Sequence, residues 1–298
     1  MYILFLRRAL LLFSLLLHIN AWGQIEAVDE LWQKKLDTVS KVNVLKPDYL
    51  RINEGDALRI FDKQPNFGLY KDNYIIAGLP VNHGMNKHNS DAKFQISIRH
   101  RLTKSILPFN TFLMLVYTQK SFWNIFEKSF PFYDNNYNPG LHISKPIIID
   151  NELKGLASLG FEHESNGRDS AASRSRNYFI LNASYYFNVS FSAQAKLWAG
   201  WTSSDNSDLD KYIGYTSFIL NYKSVNKRLW CSVLINPRRN FITYNTQVEL
   251  NYKVSRNSNQ FLFLQWYQGY GEGLLEYNKY TSMLRLGFCI KPPLRSIY

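Results

Sequence analysis

Three places in this chain set a histidine two residues before a serine: His88/Ser90, His142/Ser144 and His163/Ser165. On an extended strand, residues i and i+2 share a face and their side chains are neighbours. Each pair could therefore put an imidazole beside a hydroxyl. A serine hydroxyl is a weak nucleophile until a base takes its proton, and the base needs a third group to fix its tautomer and orientation. With six histidines in the chain, spacing alone does not choose among the three pairs.

Face assignment separates them. His88 and Ser90 lie in a polar stretch ahead of a strand and read as a turn. His142 and Ser144 alternate with apolar Leu141 and Ile143. His163 and Ser165 instead continue the apolar series Ala157, Leu159, Phe161, opposite Ser158, Gly160, Glu162 and Glu164. Asn177 likewise leads the apolar series Phe179, Leu181, Ala183, Tyr185. A hairpin from Ser165 to Asn177 would bring Asn177 beside His163. Ser165, His163 and Asn177 then supply nucleophile, base and orienter, an Asn stabilising the imidazolium less than an Asp would. On pattern alone, a membrane-edge position without chemical consequence is equally open.

The elements that would position these groups are strands. From Tyr74 onward the chain is a succession of apolar-alternating runs of about ten residues, the period-two mark of strands with two different environments. Twelve runs begin near Tyr74, Lys93, Thr111, Leu141, Gly155, Asn177, Ser192, Gly214, Arg228, Phe241, Gln260 and Ser282. Each is long enough to cross a bilayer tilted, which takes roughly 9–11 residues. Aromatics at run ends (Tyr185-Tyr186-Phe187, Trp198 with Trp201, Tyr267 with Tyr270) match the girdles of a membrane barrel.

Composition narrows the alternatives. The 20 Tyr, 20 Phe and 7 Trp supply burial that a disordered chain lacks, and two cysteines cannot make a disulfide framework. Arg7 and Arg8, the apolar stretch Ala9 to Leu17, and Ala21-Trp22-Gly23 form an export signal with cleavage before Gln24. Past it no apolar run approaches the roughly 18 residues of a spanning helix. An exported chain without such a helix can occupy a bilayer as a closed barrel, in which every backbone group is paired internally. The net charge of +12 suits a polyanion. Export argues against nucleic acid and leaves anionic lipid headgroups. The expected organisation is a signal peptide over 1–23, a polar leading segment over 24–71, and an all-β, twelve-stranded antiparallel transmembrane β-barrel over 72–298. The even strand number and terminal Tyr298 fit such a barrel.

The run Phe161-Glu162-His163-Glu164-Ser165-Asn166-Gly167-Arg168, followed by Ser173-Arg174-Ser175 and Asn177, resembles the signature of the outer-membrane phospholipase A family. Tyr117-Thr118-Gln119 with Ser121 and Trp123, Pro131-Phe132 with Asn136-Tyr137, Lys211-Tyr212 with Gly214-Tyr215, and Gly269-Tyr270-Gly271-Glu272 with Tyr277-Asn278 match in order. The resemblance runs from about Phe67 to the C-terminus. It implies a calcium-dependent phospholipase of the Gram-negative outer membrane that hydrolyses acyl esters at either glycerol position, and lysophospholipids, as a homodimer. It implies Ser165 as nucleophile, His163 as base, Asn177 as orienter and the Gly167 amide at the oxyanion. Calcium (Ca2+) would take the Arg168 carbonyl and Ser173 hydroxyl, with the Ser129 carbonyl from the partner subunit. Asp205 matches the acidic group of a second calcium site, while Ser170 stands where an acidic residue is usual and Arg176 where an aromatic is. Gln119, on the lipid face with Leu113, Leu115 and Tyr117, would bond its own copy across the dimer.

Two further expectations follow from alternation. Cys231 shares a face with Leu229 and Val233, and Cys289 with Arg285 and Lys291, so no disulfide joins them. A non-enzymatic barrel, either a small-solute channel or an inactive relative of the enzyme, is the competing reading; a channel requires a lumen open to water, whereas the enzyme requires one filled by polar side chains.

Overall fold

A computed structural model of the chain describes residues 62–63, 65–82, 84, 86, 89–149, 152–255 and 259–292. The expected signal peptide, most of the leading segment, His88 and Tyr298 lie outside the described residues. Thirteen strands form one antiparallel sheet: β1 (Phe67–Leu69), β2 (Asn73–Pro80), β3 (Asp91–Arg101), β4 (Phe112–Trp123), β5 (Phe132–Ile149), β6 (Glu152–Ser165), β7 (Ser175–Tyr186), β8 (Phe191–Thr202), β9 (Thr216–Lys223), β10 (Leu229–Pro237), β11 (Tyr244–Lys253), β12 (Gln260–Gly269) and β13 (Thr281–Ile290). β1 and β2 lie one after the other along the same edge of β3, so they are two pieces of one barrel strand. β2 also pairs with β13, from Ile290↔Asn73 to Met283↔Pro80, and closes the sheet. The result is a closed twelve-stranded antiparallel barrel without a free edge.

β1 falls inside what the sequence reads as leading segment, because three residues are too short to display alternation. β5 begins at Phe132, well before Leu141: its first half, Asp134 to Asn138, is too polar to read as a strand until its lumen partners are known.

Burial is inverted relative to a soluble protein. Leu115, Leu141, Ile143, Leu159, Phe179, Leu197, Leu220, Leu262 and Leu286 are exposed on the outer wall, while Lys93, Asp134, Asn136, His142, Glu162, Asn182, Gln265 and Arg285 are buried in the lumen. Only a hydrocarbon surround makes that arrangement favourable. Among the described residues no helix is long and apolar enough to cross a membrane; the strands do the crossing. Tyr185, Phe187 and Trp201 stand on the outer wall as expected of a girdle. Trp198 and Tyr267 do not. They alternate with outward residues and turn inward, Trp198 Nε1 donating to the Gly214 carbonyl at 2.9 Å and the Tyr267 hydroxyl to the Tyr270 carbonyl at 2.5 Å.

The lumen is filled. Arg285 donates to Asp91 at 2.7 and 2.8 Å and to Glu272 at 2.6 Å, and Lys93 meets Glu272 at 2.7 Å. The β12–β13 loop folds inward over this network, the Leu274 and Leu275 amides donating to Asn136 and Asp134 at 3.2 and 3.0 Å. Leu274 and Tyr277 pack there against Leu209 and Ile213 of a five-residue helix, Leu209–Ile213. Cys289 is buried inside and Cys231 lies on the outer side of β10, so no disulfide joins them.

Candidate functional site

The β6–β7 hairpin pairs Ser165 with Ser175, His163 with Asn177 and Phe161 with Phe179. These odd-numbered residues look outward, because their even neighbours Glu162 and Tyr178 are buried in the lumen. His163 Nδ1 lies 2.9 Å from Asn177 Oδ1. A carbonyl oxygen only accepts, so the bond puts the ring proton on Nδ1 and leaves Nε2 with its lone pair. Ser165 follows two residues on, on the same outward face, flanked by Tyr137 of β5 and Ser175 of β7. Below lies an apolar aromatic patch: Phe161 contacts Phe179 at 5.2 Å and Trp201 at 6.1 Å between ring centres. Trp201 is the β8 partner of Asn177. Ser165, His163 and Asn177 thus share one patch of outer wall beside an apolar aromatic surface.

The competing pair goes the other way. His142 and Ser144 are each 1% exposed inside the barrel, with His142 Nε2 3.0 Å from Glu162. His142 is a lumen network residue.

The loop after Ser165 is tied by Asn166, whose role has no signal in the sequence. Its side-chain oxygen accepts from the Arg174 amide at 3.0 Å and the Arg168 amide at 3.3 Å, and its amide donates to the Ala172 carbonyl at 2.8 Å. Gly167 between them has φ +63°, where a side chain would be strained, and a Cβ there would meet the Tyr137 ring at 2.9 Å. Asp169 accepts from the Ser170 amide at 2.6 Å and starts the short turn Ser170–Ala172. The start of β7 is held from the next loop by Asn206, which accepts from the Ser175 amide at 3.1 Å and donates back to the Ser175 carbonyl at 3.0 Å. Asn206 carries no sequence signal, since its partners are 31 residues away.

Arg168, Ser173, Ser129 and Asp205 all sit on loops at the same barrel end as Ser165, His163 and Asn177. The Arg168 guanidinium donates to the Tyr133 carbonyl, and Arg174 donates to the Ser173 carbonyl at 2.6 Å. Among the described residues, the Arg168 carbonyl oxygen and the Ser173 hydroxyl make no hydrogen bond. Uncommitted oxygens on a tied loop are the donor type a hard cation takes, though two fall short of the six to eight that calcium uses. Ser129 is exposed at φ +72° in the β4–β5 loop, and Asp205 is exposed in the turn Ser204–Asn206. Among the described residues no cluster of three His, Cys, Asp or Glu could hold a metal.

Gln119 is on the outer wall, half-buried. Its oxygen accepts from Tyr117 at 3.1 Å and its amide donates to Ser121 at 3.1 Å. One N–H and one lone pair remain available. Arg176 faces the lumen as expected, paired with Glu164 at 2.6 Å and lying over the Tyr178 ring at 4.2 Å.

A closed barrel with Ser165, His163 and Asn177 on its outer wall carries there the side-chain types that ester hydrolysis uses. The family model of phospholipase A1 matches residues 66–290. The chain is 32% identical over 211 residues to phospholipase A1 of Escherichia coli K12, covering 68% of this chain and 70% of that one. It is 29% identical over 214 residues to phospholipase A1 of Klebsiella pneumoniae, covering 69% and 72%. Among solved structures, outer membrane phospholipase A from Escherichia coli superposes with a TM-score of 0.67 at 26% identity, over 76% of this chain and 98% of that one. The Salmonella typhi outer membrane phospholipase dimer with bound calcium superposes at 0.69 and 26%, over 84% and 100%. A variant of the Escherichia coli protein with an active-site asparagine replaced by alanine gives 0.68 at 25%, over 82% and 99%.

This chain belongs to the phospholipase A1 family. It is a carboxylic ester hydrolase of the Gram-negative outer membrane.

Proposed function

We propose that this protein hydrolyses acyl esters of membrane glycerophospholipids and lysophospholipids with the triad Ser165, His163 and Asn177, needs calcium, and acts as a homodimer. The observation that carries the reading is the 2.9 Å contact between His163 Nδ1 and Asn177 Oδ1 on the outer wall, where a substrate lying in the leaflet meets it without leaving the membrane. The filled lumen favours this over a channel, which would need an open path.

His163 Nε2 takes the Ser165 proton as Oγ attacks the acyl carbonyl, and returns it to the departing glycerol oxygen. Asn177 holds the ring so that Nε2 faces the serine. The negative oxygen of the tetrahedral intermediate develops beside the Gly167 amide, which the left-handed turn at that glycine presents. Water then releases the fatty acid by the same proton route in reverse.

The Arg168 carbonyl and the Ser173 hydroxyl, with Ser129 of a second copy, would hold calcium. When bound, the ion supplies fixed positive charge that stabilises the oxyanion. The calcium-bound dimer among the structural relatives supports both parts. Asp205 is the candidate for a second, dimer-independent site. Gln119, with half its amide capacity uncommitted, is the candidate for a contact between copies.

The test is hydrolysis of phosphatidylcholine in detergent micelles, with and without a calcium chelator, for the native chain and Ser165→Ala. Loss of activity on chelation and in Ser165→Ala is expected. Activity that survives Ser165→Ala would overturn the triad.

A further inference from the structure

Pro139 lies in β5 directly across from the base. The β5–β6 register runs from Tyr137↔Ser165 to Gly140↔Glu162 and skips the two pairs between them, Asn138 with Glu164 and Pro139 with His163. In an antiparallel ladder every second pair exchanges two N–H···O bonds. Here that type includes Tyr137 with Ser165 and Pro139 with His163. Proline has no N–H, so the ladder leaves the His163 carbonyl without its strand donor. A strand carbonyl in the barrel wall needs a partner, and an unpaired one lets the backbone of the base shift.

Asn138 fills the gap. Its side-chain amide donates to the His163 carbonyl at 3.0 Å and to the Tyr178 hydroxyl at 3.2 Å. The Tyr178 hydroxyl spends its single proton on Glu162 Oε2 at 2.7 Å, so its oxygen can only accept from Asn138. That fixes which end of the amide points at His163: a flipped Asn138 would set oxygen against oxygen at both partners. Glu162 is held in turn by His142 at 3.0 Å. Asn138, Tyr178, Glu162 and His142 are all buried in the lumen.

We propose that Asn138 is a positioning residue for the His163 base, its side-chain amide replacing the ladder hydrogen bond that Pro139 cannot make. This rests on the reading of His163 as the base. A lumen side chain thereby sets the backbone height of an imidazole on the opposite face of the neighbouring strand. The substrate does not touch Asn138, so its loss acts on turnover and not on substrate binding.

The experiment uses the full chain in detergent micelles with phosphatidylcholine, measuring kcat and KM. Asn138→Asp keeps size, but as a carboxylate it can donate neither to the His163 carbonyl nor to the Tyr178 hydroxyl. It should lower kcat between roughly tenfold and a hundredfold, the scale of a small misplacement of a reacting group, with KM unchanged. Asn138→Ala should match it. Pro139→Ala supplies a backbone N–H at the gap, so by itself it should leave kcat unchanged, and in Asn138→Ala/Pro139→Ala it should restore most of the lost kcat. A role in stability alone would not be rescued in kcat by one added N–H. If Asn138→Ala does not fold, Asn138→Asp carries the test. Native kcat in Asn138→Asp, a loss confined to KM, or a double variant no better than Asn138→Ala would overturn the inference. Hydrolysis that survives His163→Ala would instead overturn the assignment of the base, which separates the two failures.

Discussion

Replacing Asn177 by alanine removes the acceptor 2.9 Å from His163 Nδ1 and leaves the imidazole in place. If His163 is the base, the ring becomes an imidazolium during acyl transfer and the bond is a charge-assisted one in the transition state. Such bonds contribute about 1.5–3 kcal/mol net, and each 1.36 kcal/mol is a factor of ten in rate. The expected loss in kcat is therefore about 10- to 150-fold. His163→Ala removes the base itself and should cost up to about 10⁴-fold. The barrel should fold in both, because Asn177 is half-buried on the outer wall and supports no core. The assay is initial-rate hydrolysis in micelles, with folding checked by the faster migration of unheated barrel on a denaturing gel. Equal and total loss in the two folded variants would refute a merely orienting role for Asn177, and native activity in Asn177→Ala would remove it from the site.

Ser144→Ala should leave hydrolysis nearly unchanged where Ser165→Ala abolishes it, because Ser144 is 1% exposed inside the lumen; reversed outcomes in the same assay would invert the face assignment. If calcium sits between subunits, it must tighten the dimer by the factor that dimerisation tightens calcium binding. Ser173→Ala should then weaken calcium dependence, dimer and turnover together, and Gln119→Ala should weaken the dimer and raise the calcium requirement; sedimentation in detergent across a calcium titration checks both, and a fully active monomer sinks the shared site. Burial alone would raise the Glu272 carboxyl, but Arg285 and Lys93 beside it hold it down to about 2. A carboxylate depressed in the folded state contributes stability that is complete above its unfolded value of about 4.3 and is lost as pH falls through about 2. Glu272→Gln should accordingly lower resistance to urea at neutral pH and flatten its decline in acid, followed by tryptophan fluorescence. Arg285→Ala, which strands Asp91 and Glu272 without their shared cation, should cost about 3–5 kcal/mol.

Much of this protein was legible in one dimension because a membrane barrel writes its two environments into alternate residues. That alternation separated His163/Ser165 from His142/Ser144, sent Cys231 and Cys289 to opposite faces, and turned Arg176 inward. The hairpin length from Ser165 to Asn177 was enough to set His163 beside Asn177. The oxygens expected to hold calcium had no such signal: carbonyls belong to every residue, and only the resemblance singled out Arg168, Ser173 and Ser129. Where the pattern was short or interrupted it misled. β1 is too short to alternate, the polar first half of β5 does not read as strand, and Trp198 and Tyr267 stand at run ends like girdle residues although their parity turns them inward.

What only the tertiary structure decided is how the lumen supports the wall. Asn166, Asn206 and Asn138 are ordinary asparagines in the sequence, and each becomes specific through partners brought close by folding. Asn206 reaches Ser175 across 31 residues and Asn138 reaches His163 across 25. Arg285 meets Asp91 across 194. Strand pairing between sequence neighbours follows from local alternation and turn length. Contacts through the interior such as Arg285 with Asp91 depend on barrel closure, which brings β13 back to β2 and gathers scattered polar residues into buried hydrogen-bonded clusters.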